Sequence, residues 1–413
     1  MEILFHKMDG VQEDTEFLRI PELSNGFTGN GEAAAPDMPS GMLPVSLYSG
    51  QVAFGVYGIS LVLEAREDIE RLYLFTGRRQ LREVVSLKRG ERLVRVFYQS
   101  AAEIIPRYEE TVYPVSHLSV TFCTLHPEAV RVCCCKAEPA PGAARIFLCG
   151  DSTVTDHSSE QPYNPGACYG AWGQALTAYL NGPVAVENQA HCGLTTENFE
   201  KEGHLELVKR HIRKGDLCLF QFAHNDQKLP HLMAETGYAD YLRRFIREIR
   251  SLGGQPVLVT PLGRNIWNED GTYLDLLEDY ARAVRQIGSE TDTSVIDLHG
   301  YSVDRIRRQG MERSCDYFHP DDYTHNNEYG ACLFAGYIAG ELGRQLAGWD
   351  TRTKPGPDFE PPHHVWDGLK GNGYQEQAAG QKEQFDRMEK STGALLEVIR
   401  EARKKAGHLK QDL

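Results

Sequence analysis

Apolar residues follow two different patterns along the chain. Up to residue 136 they occur in short runs that are rich in β-branched and aromatic residues and are separated by turn residues. Clear examples are residues 58–63, 72–75, 93–98 and 118–122. This pattern is typical of a β-sandwich or jelly roll, and it predicts an all-β accessory domain over residues 1–136.

The second pattern begins at Arg145. The Pro- and Ala-rich segment before it, 137–144, is predicted to be a linker. Apolar runs that predict buried strands lie at 146–149, 184–187, 217–222, 257–260 and 295–298. Helical patterns lie at 238–252, 273–290 and 327–346. Buried runs that alternate with helices indicate a parallel sheet covered on both faces, so residues 145–349 are predicted to form an α/β domain. In such sheets the functional groups collect at the carboxyl ends of the strands.

The last part of the chain, residues 350–413, combines an irregular Pro/Gly/charge-rich stretch with a helical pattern at 381–405. The apolar positions of that pattern are Phe385, Met388, Leu395, Leu396 and Ile399. We expect this helix to dock either on the body of the protein or on a second subunit. The second case would give a homo-oligomer.

Composition narrows the function without identifying it. The formal net charge is −14. Nucleic acids and anionic membranes both attract positive charge, so neither is an expected partner. The N-terminus lacks a basic segment followed by a long apolar core, and the ten cysteines show no paired metal-binding spacing. Scattered cysteines in a large chain favour a reducing compartment, and we expect a cytoplasmic protein.

Candidate chemistry begins where the predicted strands end. Ser152 follows the strand 146–149, where a parallel sheet opens into a loop. A serine at that point can be held with its backbone N–H facing an anion. Gly193 follows the next strand, and Asn225 follows the central one. Taken singly, these residues are also typical of turns and helix N-caps.

Asp322 and His325 lie three residues apart, just before the last predicted helix of the α/β domain. An acid and a histidine at such a junction can converge, so that Asp322 holds one imidazole nitrogen while the other faces a serine. A solvated loop histidine is the alternative interpretation of this pair alone. The candidates nevertheless all fall at strand ends, or in the last loop, of one domain.

Together these motifs resemble the SGNH (GDSL-type) hydrolase family over residues 144–346, and most closely its rhamnogalacturonan acetylesterase branch. The resemblance rests on Gly-Asp-Ser-Thr-Val-Thr-Asp at 150–156, Ala-His-Asn-Asp at 223–226 and Asp-x-x-His-x-Asn-x-x-Gly at 322–330. Two positions depart from the branch. Leu194-Thr195-Thr196 stand where Arg-Ser-Ser or similar is usual, and Ala223 stands where glycine is usual.

The resemblance implies a three-layer α/β/α, flavodoxin-like fold and a serine esterase. It implies Ser152 as the nucleophile, His325 as the base and Asp322 as the residue that orients the base. The oxyanion hole would comprise the backbone N–H groups of Ser152 and Gly193 and the side chain of Asn225, with no metal or organic cofactor. The implied substrate is an acetylated oligosaccharide of plant cell-wall type, derived from pectin (rhamnogalacturonan) or xylan.

The sequence is also compatible with three other interpretations. An esterase of the same family that acts on other acyl esters, as lipases and thioesterases do, would carry the same motifs. A carbohydrate-binding protein without activity would not need the intact set of candidate residues. A metal-dependent hydrolase could use His224, Asp226, His319 and His325.

Overall fold

The computed structural model describes residues 3–7, 23–28, 42–268, 270–320, 322–357, 359–361 and 374–409. The strands are β1 Ile3–Lys7, β2 Phe27–Thr28, β3 Leu43–Gln51, β4 Gly55–Ala65, β5 Ile69–Thr76, β6 Gln80–Leu87, β7 Arg92–Ile104, β8 Tyr113–Val115, β9 His117–Thr124, β10 Val130–Pro139, β11 Ala144–Gly150, β12 Ser159–Glu160, β13 Val184–Asn188, β14 Leu217–Gln221, β15 Gln255–Val259 and β16 Val295–Ile296. The α-helices are α1 Trp172–Ala175, α2 Thr196–Lys201, α3 His204–His211, α4 Gly237–Ser251, α5 Glu278–Thr291, α6 Leu298–Ser314, α7 Glu328–Gln345 and α8 Tyr374–Leu409.

The N-terminal strands form one series with the order β6-β5-β9-β3-β1-β10-β4-β7-β8. β1 joins its two halves, because Ile3 pairs with β10 whereas Phe5 pairs with β3. Leu61 in β4 and Leu74 in β5 are far apart in this series but share one buried cluster, so the series folds back on itself. Each predicted strand run lies inside an observed strand, while the two-sheet sandwich stays a prediction. The predicted linker is shorter than expected, since β10 continues to Pro139.

The C-terminal domain is built on a five-stranded parallel sheet with the order β13-β11-β14-β15-β16. In chain order this is 2-1-3-4-5, the order of flavodoxin-like sheets. Ile146 and Leu148 of β11 pack in one buried cluster, whereas Phe147 and Cys149 pack in another. Helices therefore cover both faces of the sheet, and the predicted α/β fold of this part of the chain is confirmed.

Two predicted elements have different ends because polar side chains cap the helices. The predicted strand 295–298 stops at Ile296, since the carboxylate of Asp297 accepts the Gly300 N–H at 3.2 Å and begins α6. The predicted helix 273–290 begins only at Glu278. Asp275 accepts the backbone N–H groups of residues 277 and 278, at 3.0 and 3.1 Å, and so starts α5 there.

The hairpin β5–β6 lies between two hydrophobic cores. Leu72 and Leu74 of β5 belong to the core of the all-β region. Tyr73 and Phe75, on the opposite face, belong to a cluster that includes Trp172 of α1 and several residues of α7. Burial on both faces explains why this strand reads as a continuous apolar run. The two halves of the chain therefore share a core.

Arg79, in the turn of this hairpin, carries a buried charge into the α/β domain. Its φ of +54° is left-handed, and its side chain is fully buried. Nη1 lies 2.8 Å from Oε2 of Glu328, the first residue of α7, which is equally buried. All five N–H groups of the guanidinium have acceptors. The other acceptors are the carbonyls of His157 and Tyr169, Sγ of Cys168 and Oε1 of Gln174.

The C-terminal helix α8 docks on the body of the same chain. Ile399 is buried in a cluster with Ile266 and Leu276, and the Tyr323 hydroxyl donates to the Ser391 carbonyl at 3.2 Å. The side chains of Phe385 and Met388 lie outside the described part, and a homo-oligomer stays a prediction. Among the described helices, none combines the length and apolar content of a membrane span.

Breaking the buried pair should destabilise the protein strongly. We expect Arg79→Met to lower the free energy of unfolding by about 3–5 kcal/mol, because it leaves the Glu328 carboxylate buried without a cation. Adding Glu328→Gln should recover part of that loss. Denaturant unfolding measures both variants. Lys88→Met, which removes the exposed pair with Asp68, is the control and should leave the free energy of unfolding nearly unchanged. If Glu328→Gln lowered the free energy of unfolding further in the Arg79→Met protein, the two side chains would not be coupled.

Candidate active site

The candidate site lies at the carboxyl ends of β11 and β14. At this point the chain order of the sheet changes direction, which is where open α/β sheets bind their ligands. Ser152 lies just beyond β11, and Asn225 lies just beyond β14. The sheet topology therefore explains why residues far apart in the sequence meet here.

Buried hydrogen bonds hold the turn that carries Ser152. The carboxylate of Asp151 accepts the Thr153 N–H at 2.9 Å and the Thr153 hydroxyl at 2.8 Å. On the other side, Nε2 of His157 donates to the Ser152 carbonyl at 2.7 Å. Burial, together with the neighbouring His325, lowers the pKa of His157 to about 3. His157 is therefore neutral at ordinary pH and acts as a fixed donor to the backbone of the serine.

The structure brings Ser152, His325 and Asp322 together in a hydrogen-bonded chain. Nε2 of His325 lies 2.7 Å from Oγ of Ser152, and Nδ1 lies 2.8 Å from Oδ2 of Asp322. The Nδ1–H donates to the carboxylate, so Nε2 is free to accept the serine proton. The side chain of His325 is 27% exposed, so a substrate can reach this point from solvent.

Asp322 is held as a carboxylate. Its Oδ1 accepts the backbone N–H groups of Thr324 at 2.7 Å and of His325 at 3.0 Å. Burial by itself would raise the pKa of Asp322, but the bond from the His325 ring and these two N–H donors outweigh it and lower the pKa below its usual value. The acid thus stays ionised, which fixes the tautomer and the orientation of His325.

The two candidate oxyanion donors lie in the loops after β13 and β14. Gly193 is exposed and has a φ of +93°, a left-handed conformation that glycine adopts without strain. The Asn225 side chain is fixed at both ends. Its Nδ2 donates to the Leu194 carbonyl at 3.1 Å, and its Oδ1 accepts from Nζ of Lys228 at 2.8 Å. An amide nitrogen carries two hydrogens, so one remains after the bond to Leu194.

Aromatic rings form a wall beside His325. The ring of Tyr169 stacks on His319 at 3.6 Å between centroids and meets the His325 ring edge-on at 5.8 Å. Arg79 of the β5–β6 turn donates to the carbonyls of Tyr169 and His157. A residue from the all-β region therefore supports both neighbours of the candidate site. No spacing rule marks Arg79 or His157 in the sequence, because their partners are distant along the chain or on the backbone.

The four residues of the metal-dependent alternative do not belong to either group of described side chains that lies close enough to share an ion. The ring nitrogens of His224 face Asp151 and the Leu262 carbonyl, so His224 holds the loop after β14. Asp226 accepts from the Thr196 N–H at 2.9 Å. The other two residues, His319 and His325, face Tyr169 and Ser152 respectively.

The two departures from the family pattern have different structural consequences. Thr196 donates through both its N–H and its hydroxyl to Asp226, so it braces the loop as a serine would. Leu194 is buried in the apolar cluster on one face of the sheet. Ala223 has a φ of +120°, which an L residue adopts only under strain, and its N–H donates to Asp226 at 3.2 Å.

The chain is similar to several known proteins. Residues 148–326 match the family described as GDSL-like lipase/acylhydrolase. The chain is 33% identical over 208 residues to rhamnogalacturonan acetylesterase RhgT of Bacillus subtilis (strain 168), which covers 47% of this chain and 88% of RhgT. It is 33% identical over 205 residues to the probable rhamnogalacturonan acetylesterase YesY of the same organism, covering 48% and 91%. The crystal structure of Bacillus subtilis YxiM covers 74% of this chain and 82% of that chain, with 22% identity and a TM-score of 0.47.

These matches define a carboxylic ester hydrolase. The chain belongs to the GDSL-like, or SGNH, hydrolase family, in its rhamnogalacturonan acetylesterase-like branch. The family predicted from the sequence motifs is thereby confirmed. All five predicted site residues lie inside the matched range.

Restoring the usual glycine at position 223 should stabilise the protein. We expect Ala223→Gly to raise the free energy of unfolding by about 1 kcal/mol, because relief of the positive-φ strain exceeds the added flexibility of the unfolded chain. Ala283→Gly in the middle of α5 is the matched control and should lower the same quantity by about 1 kcal/mol. Denaturant unfolding compares the two. Destabilisation by both substitutions would show that Ala223 is not strained.

Proposed function

We propose that this protein is a serine O-acetylesterase acting on short carbohydrate chains of plant cell-wall type. Ser152 is the nucleophile, His325 the general base and Asp322 the residue that orients the base. The observation that carries the proposal is the hydrogen-bonded chain from Asp322 through His325 to Ser152, with separations of 2.8 and 2.7 Å.

The first half of the reaction transfers the acetyl group to the enzyme. As Oγ of Ser152 attacks the ester carbonyl carbon, Nε2 of His325 takes the hydroxyl proton. The carbonyl π electrons move onto oxygen and give a tetrahedral oxyanion. When that intermediate collapses, the bond to the sugar oxygen breaks, and His325 returns its proton to that oxygen. The products of this half are a free sugar hydroxyl and an acetyl ester on Ser152.

The second half releases acetate by the same route. A water molecule gives a proton to His325 and attacks the acetyl carbon, and Ser152 leaves with the proton that His325 returns. Asp322 stabilises the imidazolium that forms in each half without itself taking a proton. The side chains present can supply each of these proton transfers.

Negative charge on the carbonyl oxygen is stabilised by three donors in this proposal. They are the backbone N–H groups of Ser152 and Gly193 and the side-chain amide of Asn225. Lys228 supports the third donor, because its ammonium bonds to Oδ1 of Asn225 at 2.8 Å and so polarises and orients the amide. A preorganised donor acts most strongly when the oxygen is charged, which is the condition for raising kcat rather than lowering KM.

The names of the relatives support the carbohydrate substrate. RhgT is a rhamnogalacturonan acetylesterase, and YesY is a probable one. We propose that the substrate here is an acetylated oligosaccharide, derived from rhamnogalacturonan or xylan, and that the enzyme meets it in the cytoplasm. A net charge of −14 would repel long polyuronates more than short fragments.

The purified enzyme should release acetate from short acetylated oligosaccharides faster than from the intact polymer, and added salt should narrow the difference. Acetyl model esters should be hydrolysed faster than octanoyl esters.

Ser152→Ala should lower kcat by about 10⁶ while the thermal unfolding midpoint stays close to that of the parent.

The matched control is Ser251→Ala, at the exposed end of α4, which should leave activity unchanged. Faster hydrolysis of octanoyl esters would replace the carbohydrate substrate with a lipid-like one. If Ser152→Ala kept activity within about tenfold of the parent, the proposed nucleophile would be wrong.

Removing the Asn225 amide should affect turnover more than binding. We expect Asn225→Ala to lower kcat by about 10²–10³ with little change in KM, because the lost donor acts mainly on the charged oxygen. Steady-state kinetics on an acetyl ester separate the two constants. Asn268→Ala, in an exposed loop, is the control. A rise in KM alone would make Asn225 a substrate-binding residue instead.

A further inference from the structure

A second cluster of ligating side chains lies beside the candidate oxyanion loop. It comprises His191, in the loop after β13, and Glu202 and His204, on either side of the turn between α2 and α3. One ligating atom from each lies within 4.8 Å of the other two. Gly203 forms the turn with a φ of +97°, which lets the chain reverse between the two ligands.

The orientation of His191 indicates that a cation lies between its ring and Glu202. Its Nδ1 donates to the Cys192 carbonyl at 3.0 Å, so the neutral ring presents the lone pair of Nε2 on its other side. That nitrogen lies 3.1 Å from Oε2 of Glu202. A lone pair and a carboxylate oxygen repel each other at this distance unless a proton or a metal ion lies between them.

A bound metal ion, rather than a proton shared between His191 and Glu202, is favoured by the surroundings of His204. Its side chain is 1% exposed, and among the described residues no polar atom lies within hydrogen-bond distance of either ring nitrogen. Its Nε2 is 3.7 Å from the same Oε2 of Glu202. A buried histidine whose ring nitrogens make no hydrogen bond is unfavourable, because the bonds that these nitrogens lose to water are not replaced. A proton shared by His191 and Glu202 leaves both ring nitrogens of His204 without a hydrogen bond, whereas a metal ion would also take Nε2 of His204 as a ligand.

The separations also fit a tetrahedral ion. Bonds of about 2.0–2.1 Å to a tetrahedral centre place neighbouring ligand atoms about 3.3 Å apart. The two separations that involve Glu202 are 3.1 and 3.7 Å, and the three ligand atoms all lie within 4.8 Å of one another. We propose that Nε2 of His191, Oε2 of Glu202 and Nε2 of His204 bind a divalent transition-metal ion of the zinc type. The bond from His191 to a backbone carbonyl is the kind that orients metal-binding histidines.

The sequence does not predict this metal site, because its ligands lack the short, repeated spacings that mark metal sites in a sequence. Here the first ligand stands 11 residues before the second, and the fold brings them together. The Phe199 ring stacks on His204 at 5.5 Å between centroids, so the most buried ligand is already positioned. Glu202 is 38% exposed and leaves a path from solvent to the site.

The ion would fasten the candidate oxyanion loop. Gly193 follows His191 by two residues, and a metal bound to Glu202 and His204 ties this loop to the turn between α2 and α3. This structural role rests on the proposed function, whereas the binding of metal does not. An experiment that measures binding therefore tests the site separately from the esterase activity.

Another cluster of carboxylate and histidine side chains, elsewhere in the α/β domain, supplies a matched control. Asp275, Glu278 and His299 also come within 4.8 Å of one another. There, however, both ring nitrogens of His299 have partners, the Pro261 carbonyl and Asp275, each at 3.0 Å. No ligand is needed to satisfy that histidine.

The test loads chelator-treated full-length protein with Zn²⁺, removes weakly bound metal by gel filtration and measures the zinc retained. The parent and Glu278→Gln should each retain about one ion per chain. Glu202→Gln, at an exposed position, should bind at least about tenfold more weakly. Zinc should raise the thermal unfolding midpoint of the parent but not that of Glu202→Gln.

Substitution of Co²⁺ for zinc separates this site from the ten free cysteines. Nitrogen and oxygen ligands give the visible bands of tetrahedral Co²⁺ without the intense near-ultraviolet band of a cobalt–thiolate bond. Equal retention by Glu202→Gln and the parent, or a thiolate band in the parent, would place the metal elsewhere. No retention by the parent would mean that a proton bridges His191 and Glu202.

Discussion

The guanidinium of Arg79 is the group on which the arrangement of the two halves depends. It is a fully buried charge that crosses from the all-β region into the α/β domain, and the anion that neutralises it, Glu328, begins α7. Burying an arginine in this way is tolerable only when every N–H group finds an acceptor. Two of those acceptors are the carbonyls of His157 and Tyr169, which flank the candidate site. Packing between the halves and the shape of the site are thus set by the same contacts.

The loops of the site are also tied to one another. Arg264, after β15, donates to the Thr324 hydroxyl and to the His224 carbonyl. It therefore joins the loop of the Asp322–His325 pair to the loop after β14. Asp226 joins that loop in turn to the one after β13, through Thr196. Few of these groups touch solvent, so displacing one loop would leave buried polar groups of its neighbours without partners.

The elements that sequence reasoning predicted well depend on local signals. Buried strand runs with turns between them identify the parallel sheet. Ser152 lies in one contiguous motif, and Asp322 and His325 are only three residues apart. Element ends were harder to predict, because a single carboxylate such as Asp297 can start a helix inside an apolar run. The family's preference for glycine at position 223 does correspond to a positive φ, although the residue here is alanine.

Features that join distant segments could not be predicted. His157 acts through a backbone carbonyl, Arg79 meets an acid far along the chain, and His191 meets Glu202 only after α2 has formed. Each depends on the three-dimensional arrangement and not on a spacing. A continuous apolar run such as 72–75 contains a partial signal, since an antiparallel strand that is buried on one face only would alternate with polar residues.

The separation of Arg79 and Glu328 by 249 residues also affects how the chain folds during synthesis. At about 5–20 residues per second, the ribosome makes Arg79 on the order of ten seconds to a minute before its anion exists. Until then the turn of the β5–β6 hairpin must stay hydrated, because a guanidinium without its acceptors is not stable in a core. The N-terminal strands can assemble their own core early. Their attachment to the α/β domain waits for the start of α7, so docking of the two halves is a late step of folding.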